Sequence, residues 1–334
     1  MQGETRKALC DLGRSAWRAL CAPPRSTLSP LSFARLYRAE LRDPPATAYY
    51  RARDDHPLPY VSYGDATCGR RLVLIHGAAG HGGHLHTLAS AVAASGAAQV
   101  SVLTMRGHGG DSGLVRYPEQ LSDDVADFLA IIRRDGHGAP IILGGHSAGA
   151  GLALRVASSA AGEQLQGFIL LAPFFGVAAP TTRTLCGGWI RPRIGRICGL
   201  VALNLMGINR FNRLSVVTFN QPLDFRDGRE TLEWTFSTLL AFGPRTAVKD
   251  LAVIGSRPAL LVAGRGDECF LAEAYESFLT RCGPQVQGAL IDEAGHWDIL
   301  VAQETSAAVC AWLSRMPRSC GHPSAPHRAG AHTR

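Results

Sequence analysis

The sequence predicts a doubly wound α/β fold, a mostly parallel sheet with helices on both faces, and three observations point to it. Several apolar runs of strand length are nearly continuous, as in strands buried on both faces of a parallel sheet. Segments with helical periodicity lie between them, giving a strand-helix-strand alternation. The 334-residue chain, 46% hydrophobic and 18% charged, has ample material for a core and the balance of a globular protein rather than a disordered one.

In chain order, "TAYYRARDDHPLPYVSYGD" reads as two short strands around a turn at Asp54-Asp55-His56-Pro57. The buried-strand candidates follow: "RLVLI" at 71–75, "VSVLTM" at 100–105, "PIILGG" at 140–145, "FILLAP" at 168–173, "ALLVAG" at 259–264 and "ALID" at 289–292. Between them "YPEQLSDDVADFLAIIRRDG" is the clearest helix, with Leu121, Val125, Phe128, Leu129 and Ile132 on one face. The alternation breaks over 175–256, longer than an ordinary loop. That stretch holds its own helix candidates, "RICGLVALNLMGI" and "DGRETLEWTFSTLLAF", so a helical cap resting on the sheet is expected. The predicted organisation is a lead over 1–46, a core formed by 47–174 and 257–315, the cap over 175–256, and a Pro-, Gly- and Arg-rich tail over 316–334 that reads as disordered.

Charge narrows the partners. The net charge is +7, and Lys7 and Lys249 are the only lysines; the arginines are scattered, not gathered into the basic, aromatic-interleaved patch that nucleic acid requires. Nine cysteines, an odd number without a CxxC pair, fit a reducing, cytoplasmic setting better than a disulfide framework. The N-terminus lacks an apolar stretch long enough for a signal peptide or a membrane span. Leu9, Leu12, Ala16 and Leu20 do share a helical face, with Lys7, Arg14 and Arg18 opposite. Gly13 interrupts it and the face is small, favouring a helix docked on its own domain or a frayed terminus over a helix lying on an anionic membrane; peripheral membrane contact stays open, as does the oligomeric state.

The strongest chemical signal is Gly145-His146-Ser147-Ala148-Gly149, between the strand "PIILG" and the helical "AGLALRVASSAA". A nucleophilic serine at a sharp strand-to-helix turn needs small residues two before and two after it, where the backbone meets neighbouring segments. The turn also sets Ser147 at a helix N-terminus, whose free N–H groups stabilise a reacting oxyanion. A hydroxyl needs a base, and the base an orienting acid. Asp267 follows "ALLVAG" in "GRGDE" and His296 follows "ALIDEAG" in "GHW"; Glu268 and Asp292 are the rival acids.

With "HGAAG", "RGHGGDSG", "GHSAG", "GRGDE" and "GHW" in this order, the chain from about 48 to 315 resembles the α/β-hydrolase superfamily, most of all the branch of lysophospholipases, monoacylglycerol lipases and serine aminopeptidases. The resemblance implies a serine hydrolase acting on carboxylic esters, with acyl lipids preferred, through Ser147, His296 and Asp267. It also implies an oxyanion hole made by the backbone N–H groups of Ala78 and Ala148, and no cofactor. Two such donors are worth about 3 to 4 kcal/mol each. A peptidase, amidase or acyltransferase on the same triad is the alternative within enzymes, and a non-catalytic binding protein on the same fold the alternative outside them.

Other signals weigh less. Gly110-Asp111-Ser112-Gly113 looks like the nucleophile stretch of trypsin-like proteases but follows a parallel-type strand, which makes Ser112 a loop residue. Gly149-Ala150-Gly151 lacks the third glycine of a dinucleotide fingerprint, and no phosphate-loop lysine follows. "HGAAGHGGHLH" packs four histidines into residues 76–86, yet no nearby carboxylate or cysteine completes a metal set, and His81, His84 and His86 are expected in a loop or helix start near the pocket mouth.

Overall fold

The computed structural model describes residues 31–38, 44–135, 138–282 and 286–318. The amphipathic pattern from Leu9 to Leu20 and nearly all of the expected disordered tail lie outside them. The core is one eight-stranded sheet in the order β1-β2-β4-β3-β5-β6-β10-β11. Its strands are β1 (Ala48–Arg51), β2 (Pro57–Tyr63), β3 (Arg71–Ile75), β4 (Gln99–Leu103), β5 (Ile141–His146), β6 (Gly167–Leu171), β10 (Ala259–Gly264) and β11 (Val286–Ile291). β1 pairs with β2 and β2 with β4 antiparallel; every other pairing is parallel. Each apolar run read from the sequence is therefore a strand, displaced by a few residues at most. β5, β6 and β10 are buried at every position, which is why their sequences run apolar without alternation.

Helices cover the sheet: α1 (Ala34–Arg38), α2 (His86–Ala94), α3 (Gln120–Asp135), α4 (Ala148–Ala157), α8 (Ala274–Cys282) and α9 (Gln303–Ser314). All ten residues of α4 are buried, including Arg155. Its guanidinium donates from Nη1 to the carbonyls of Leu240 and Ala241 and from Nη2 to that of Pro118, while Nε is buried without a partner among the described residues. The residue pair Gly149 and Gly151, seen from the sequence as part of a nucleotide fingerprint, serves this packing instead: a Cβ on Gly151 would lie 2.8 Å from the Phe174 carbonyl oxygen.

The stretch over 175–256 contains α5 (Ile194–Leu205), α6 (Phe236–Ala241) and α7 (Ala247–Ile254), together with a three-stranded antiparallel sheet of β7 (Ile190–Pro192), β8 (Ser215–Phe219) and β9 (Glu233–Thr235). A helical cap was expected; the insertion holds these helices and, in addition, the small sheet. "DGRETLEWTFSTLLAF" does not form one helix: Glu233–Thr235 pairs with β8, and the helix begins only after Thr235, whose hydroxyl accepts the Thr238 N–H at 3.2 Å as an N-cap. Strands of three residues carry too few positions for alternation to show in sequence. No helix among the described residues is long and apolar enough to cross a membrane.

Buried charge fixes the loop after β4. Arg106, 3% exposed, meets Asp124 of α3 with two bonds, from Nε at 2.9 Å and Nη2 at 2.8 Å, and meets Asp54 of the β1-β2 turn with two more. The sheet edge, the loop and α3 are thereby locked into one register.

Candidate active site

The parallel register brings the carboxyl ends of β3, β5, β10 and β11 to one edge of the sheet: Ile75 pairs with Gly145, and Gly264 with Ile291. Ligand sites of open α/β sheets lie at this edge. The chain leaves these four strands into Gly77-Ala78, Ser147, Asp267 and His296, so topology gathers residues spread over more than two hundred positions.

Ser147 sits between β5 and α4 at φ 54° and ψ −119°, a conformation that an L-residue adopts only when its surroundings impose it. Its N–H donates to the Leu171 carbonyl at 2.8 Å, which pins the turn to the end of β6. A Cβ on Gly145 would lie 2.5 Å from the backbone of Gly149, so the glycines on either side of the serine meet each other and only hydrogen fits.

Asp267 and His296 form a buried pair, each 1% exposed, with His296 Nδ1–H donating to Asp267 Oδ2 at 2.9 Å. The other carboxylate oxygen accepts the N–H groups of Cys269 and Phe270, both at 2.8 Å. Three donors thus orient the carboxylate, and its bond to Nδ1 leaves Nε2 as the acceptor of the neutral tautomer. Of the rival carboxylates, Asp292 pairs with Arg265 on the surface at 2.6 Å. Glu268 has a different place: it accepts the His296 N–H at 2.7 Å and the Ser32 N–H at 2.9 Å. Among the described residues Ser147 Oγ makes no hydrogen bond; the serine is tied to the histidine loop through its neighbour, since His146 Nε2–H donates to the His296 carbonyl at 3.0 Å.

The opening histidines also have places. His76 Nδ1–H donates to the Gly77 carbonyl at 2.7 Å and its Nε2 accepts the Met105 N–H at 3.1 Å, which sets the tautomer and fastens the loop after β3. Gly77 then passes close to Ser147: a Cβ there would lie 2.8 Å from His146 Nδ1 and 3.2 Å from Ser147 Cβ. Ala78 and Ala148 follow, and neither N–H is committed to a hydrogen bond among the described residues. Both donors sit beside the serine, available to an oxyanion. His81, His84 and His86 are buried rather than at a pocket mouth. The rings have different neighbours: His86 binds the Tyr63 hydroxyl at 3.0 Å, His81 Nε2 lies 3.2 Å from Asp227 Oδ2, and His84 packs between His81 and Trp297.

One cluster does gather metal-type donors, Asp267, Cys269 and His296 within 4.8 Å of one another. Asp267 and His296 Nδ1 are spent on each other, and burial beside Asp267 holds the Cys269 thiol well above its ordinary pKa, protonated and a poor ligand. Burial likewise depresses the His76 and His146 pKa values well below that of a free imidazole and pushes His108 down to about 4. These rings are neutral and serve as hydrogen-bonding scaffold; His108 accepts the Trp234 indole N–H at 2.9 Å, joining the loop after β4 to the cap.

Sequence reasoning missed the segment Leu31–Arg38. Phe33 is fully buried against Trp189 and Phe225 of the cap and against Trp297, the residue after His296, with ring centroids 5.6, 5.8 and 5.3 Å away. A single short apolar patch in a Pro- and Arg-rich lead has no periodicity to reveal it. Ser112, as expected, is an exposed loop residue; Asp111 beside it closes the loop by accepting the Gly107 and Gly113 N–H groups.

Residues 68–300 match the family model described as serine aminopeptidase, S33. A search of curated proteins finds no relative that matches. Among solved structures, a soluble variant of monoglyceride lipase from Saccharomyces cerevisiae, in complex with a substrate analogue, is 17% identical, with a TM-score of 0.65 over 83% of this chain and 97% of its own. A bromoperoxidase from Bacillus anthracis is 18% identical, with a TM-score of 0.58 over 80% and 100%. A putative aryl esterase from Burkholderia cenocepacia is 17% identical, with a TM-score of 0.54 over 81% and 100%. At these identities the likeness bears on the fold alone.

Proposed function

The chain belongs to the serine aminopeptidase S33 family of α/β-hydrolases, and from that premise we propose that it hydrolyses carboxylic esters, with acyl lipids as the preferred class. The observation that carries the reading is the buried Asp267–His296 hydrogen bond at the same sheet edge as a strained Ser147 flanked by two uncommitted backbone N–H groups. Ser147 Oγ attacks the ester carbonyl while His296 Nε2 takes its proton. The carbonyl oxygen, now an oxyanion, is held by the N–H groups of Ala78 and Ala148. Collapse expels the alcohol, protonated by His296, and leaves Ser147 acylated; water activated by the same histidine releases the acid. No cofactor enters this sequence.

An apolar surround supports the acyl preference. Phe270 packs on the His296 ring at 5.1 Å and Phe174 on Phe270 at 6.1 Å. The peptidase reading draws on the family description; an aminopeptidase must bind a free α-amino group, and Glu268, a carboxylate next to the triad, already accepts two backbone N–H groups.

A fluorophosphonate probe is expected to label the folded protein and to leave Ser147→Ala unlabelled. Equal labelling of both, or none of the wild type, sinks the nucleophile assignment and favours a non-catalytic binding protein. In a chain-length series of p-nitrophenyl esters run beside monoacylglycerols, lysophospholipids and aminoacyl naphthylamides, rates should rise with acyl length. Faster amide cleavage would move the assignment to peptidase.

A further inference from the structure

The far end of α5 presents an inverted arrangement of polar and apolar groups. The helix closes after Leu205 with Gly207 at φ 81°, its N–H bound to the Asn204 carbonyl at 3.0 Å and that of Ile208 to the Leu203 carbonyl at 2.8 Å. The chain then makes two further turns, with the Asn212 N–H on Asn209 and the Leu214 N–H on Phe211, both at 3.0 Å. The amides of Asn204 and Asn212 pair reciprocally across this loop, at 2.7 and 2.9 Å. Polar side chains therefore hold the loop from within, and Leu205, Met206, Ile208, Phe211 and Leu214 stand outward, Met206 at 67% exposure.

Exposed apolar side chains scattered singly need no explanation, but five within ten residues on one fixed loop do. Its charge is one-sided as well. From Ile190 to Val217 the chain has five arginines and no Asp or Glu. Two of them, Arg210 and Arg213, belong to the loop; both are exposed, neither forms an ion pair among the described residues, and Arg210 lies 4.7 Å over the Phe211 ring. Apolar side chains interleaved with unpaired arginines match the boundary between acyl chains and anionic headgroups.

We propose that the Leu205–Leu214 loop docks the cap onto an anionic phospholipid surface, with its apolar side chains entering the acyl boundary and Arg210 and Arg213 pairing with headgroup charge. This attachment differs from an N-terminal amphipathic helix and does not depend on the ester-hydrolase reading. The loop touches none of Ser147, Asp267 or His296, and vesicle binding is read without turnover.

The full-length protein is floated with vesicles of phosphatidylcholine alone and with vesicles that also contain phosphatidylserine. The expected result is binding to the second and little to the first, weakening as salt rises. Met206→Asp with Phe211→Asp should lower partitioning about tenfold or more. Arg210→Glu with Arg213→Glu should lower it at least about fivefold per arginine. Ile208→Ser with Leu214→Ser, a milder pair, guards against loss of folding, checked by thermal unfolding; hydrolysis of a short soluble ester should be unchanged in all three. Absence of wild-type binding to anionic vesicles overturns the proposal. So does wild-type-like binding by folded variants, which would move attachment to another segment, or a solution dimer that these substitutions dissociate, which would make the loop a contact between two copies.

Discussion

Ser147 and the residues around it show how much depends on single atoms. Gly77 lies so close to His146 and Ser147 that one methyl group must displace the loop carrying Ala78. A shift of about 1 Å in a catalytic donor costs about 10²-fold in rate. Gly77→Ala is therefore expected to lower kcat about a hundredfold with the protein still folded, as steady-state kinetics with a p-nitrophenyl ester would register; an unchanged kcat would remove Ala78 from the oxyanion site. Asp267→Asn keeps the shape of the pair but offers an N–H where His296 Nδ1–H now finds an acceptor, which favours the wrong tautomer. The expected loss is about 10⁴-fold in kcat. The scaffold histidines predict a pH dependence of stability. His108, pushed down to about 4, and His76 and His146, held well below the ordinary value, bind protons more readily unfolded than folded. Their contribution is complete above pH about 6.5 and is lost as pH falls toward about 4. Urea midpoints should thus be flat above neutrality and decline steeply below it, and His108→Gln should soften the decline.

Among the elements, the segment Leu31–Arg38 stands out because it precedes residue 68, where the family match begins, yet it braces the histidine loop. Phe33 fills the space between Trp297 and the cap, and the Ser32 N–H shares the Glu268 carboxylate with the His296 N–H. Phe33→Ala should cost about 3 to 5 kcal/mol, as for other fully buried aromatic truncations. Glu268→Ala leaves the buried His296 N–H unpaired, and the expected effect is a fall in kcat with KM little altered, partly restored in Glu268→Gln, which keeps one acceptor oxygen. Proportional losses in kcat and stability, with no rescue by glutamine, would reduce Glu268 to packing. The small sheet of the cap belongs to this scale too. Its strands are three to five residues long and pair only with one another, so the local pattern carried helix signals while the pairing that decided the matter lay across the insertion.

At the scale of the whole molecule, the core strands, their parallel setting, the serine turn and the placement of Asp267 and His296 after strand ends were legible in the residues alone. A strand buried on both faces must be apolar throughout, and a serine wedged between two backbone segments must have glycine on either side; such demands act locally and leave local marks. The choice among Asp267, Glu268 and Asp292 left no such mark, since all three are carboxylates within reach of a strand end. Folding separated them: Asp267 faces the imidazole, Glu268 turns to the backbone of Ser32 and His296, and Asp292 stays in solvent with Arg265. The same holds for the four histidines of "HGAAGHGGHLH", whose spacing suggests shared chemistry. Strand register and loop closure send His76 to brace the loop that carries Ala78, His81 to Asp227, His86 to Tyr63 and His84 to Trp297. Whatever depends on one residue's own backbone and its immediate neighbours could be read from the chain. Which distant groups meet was decided only when long-range pairing, burial and hydrogen-bond satisfaction were solved together, because those constraints have no local signature.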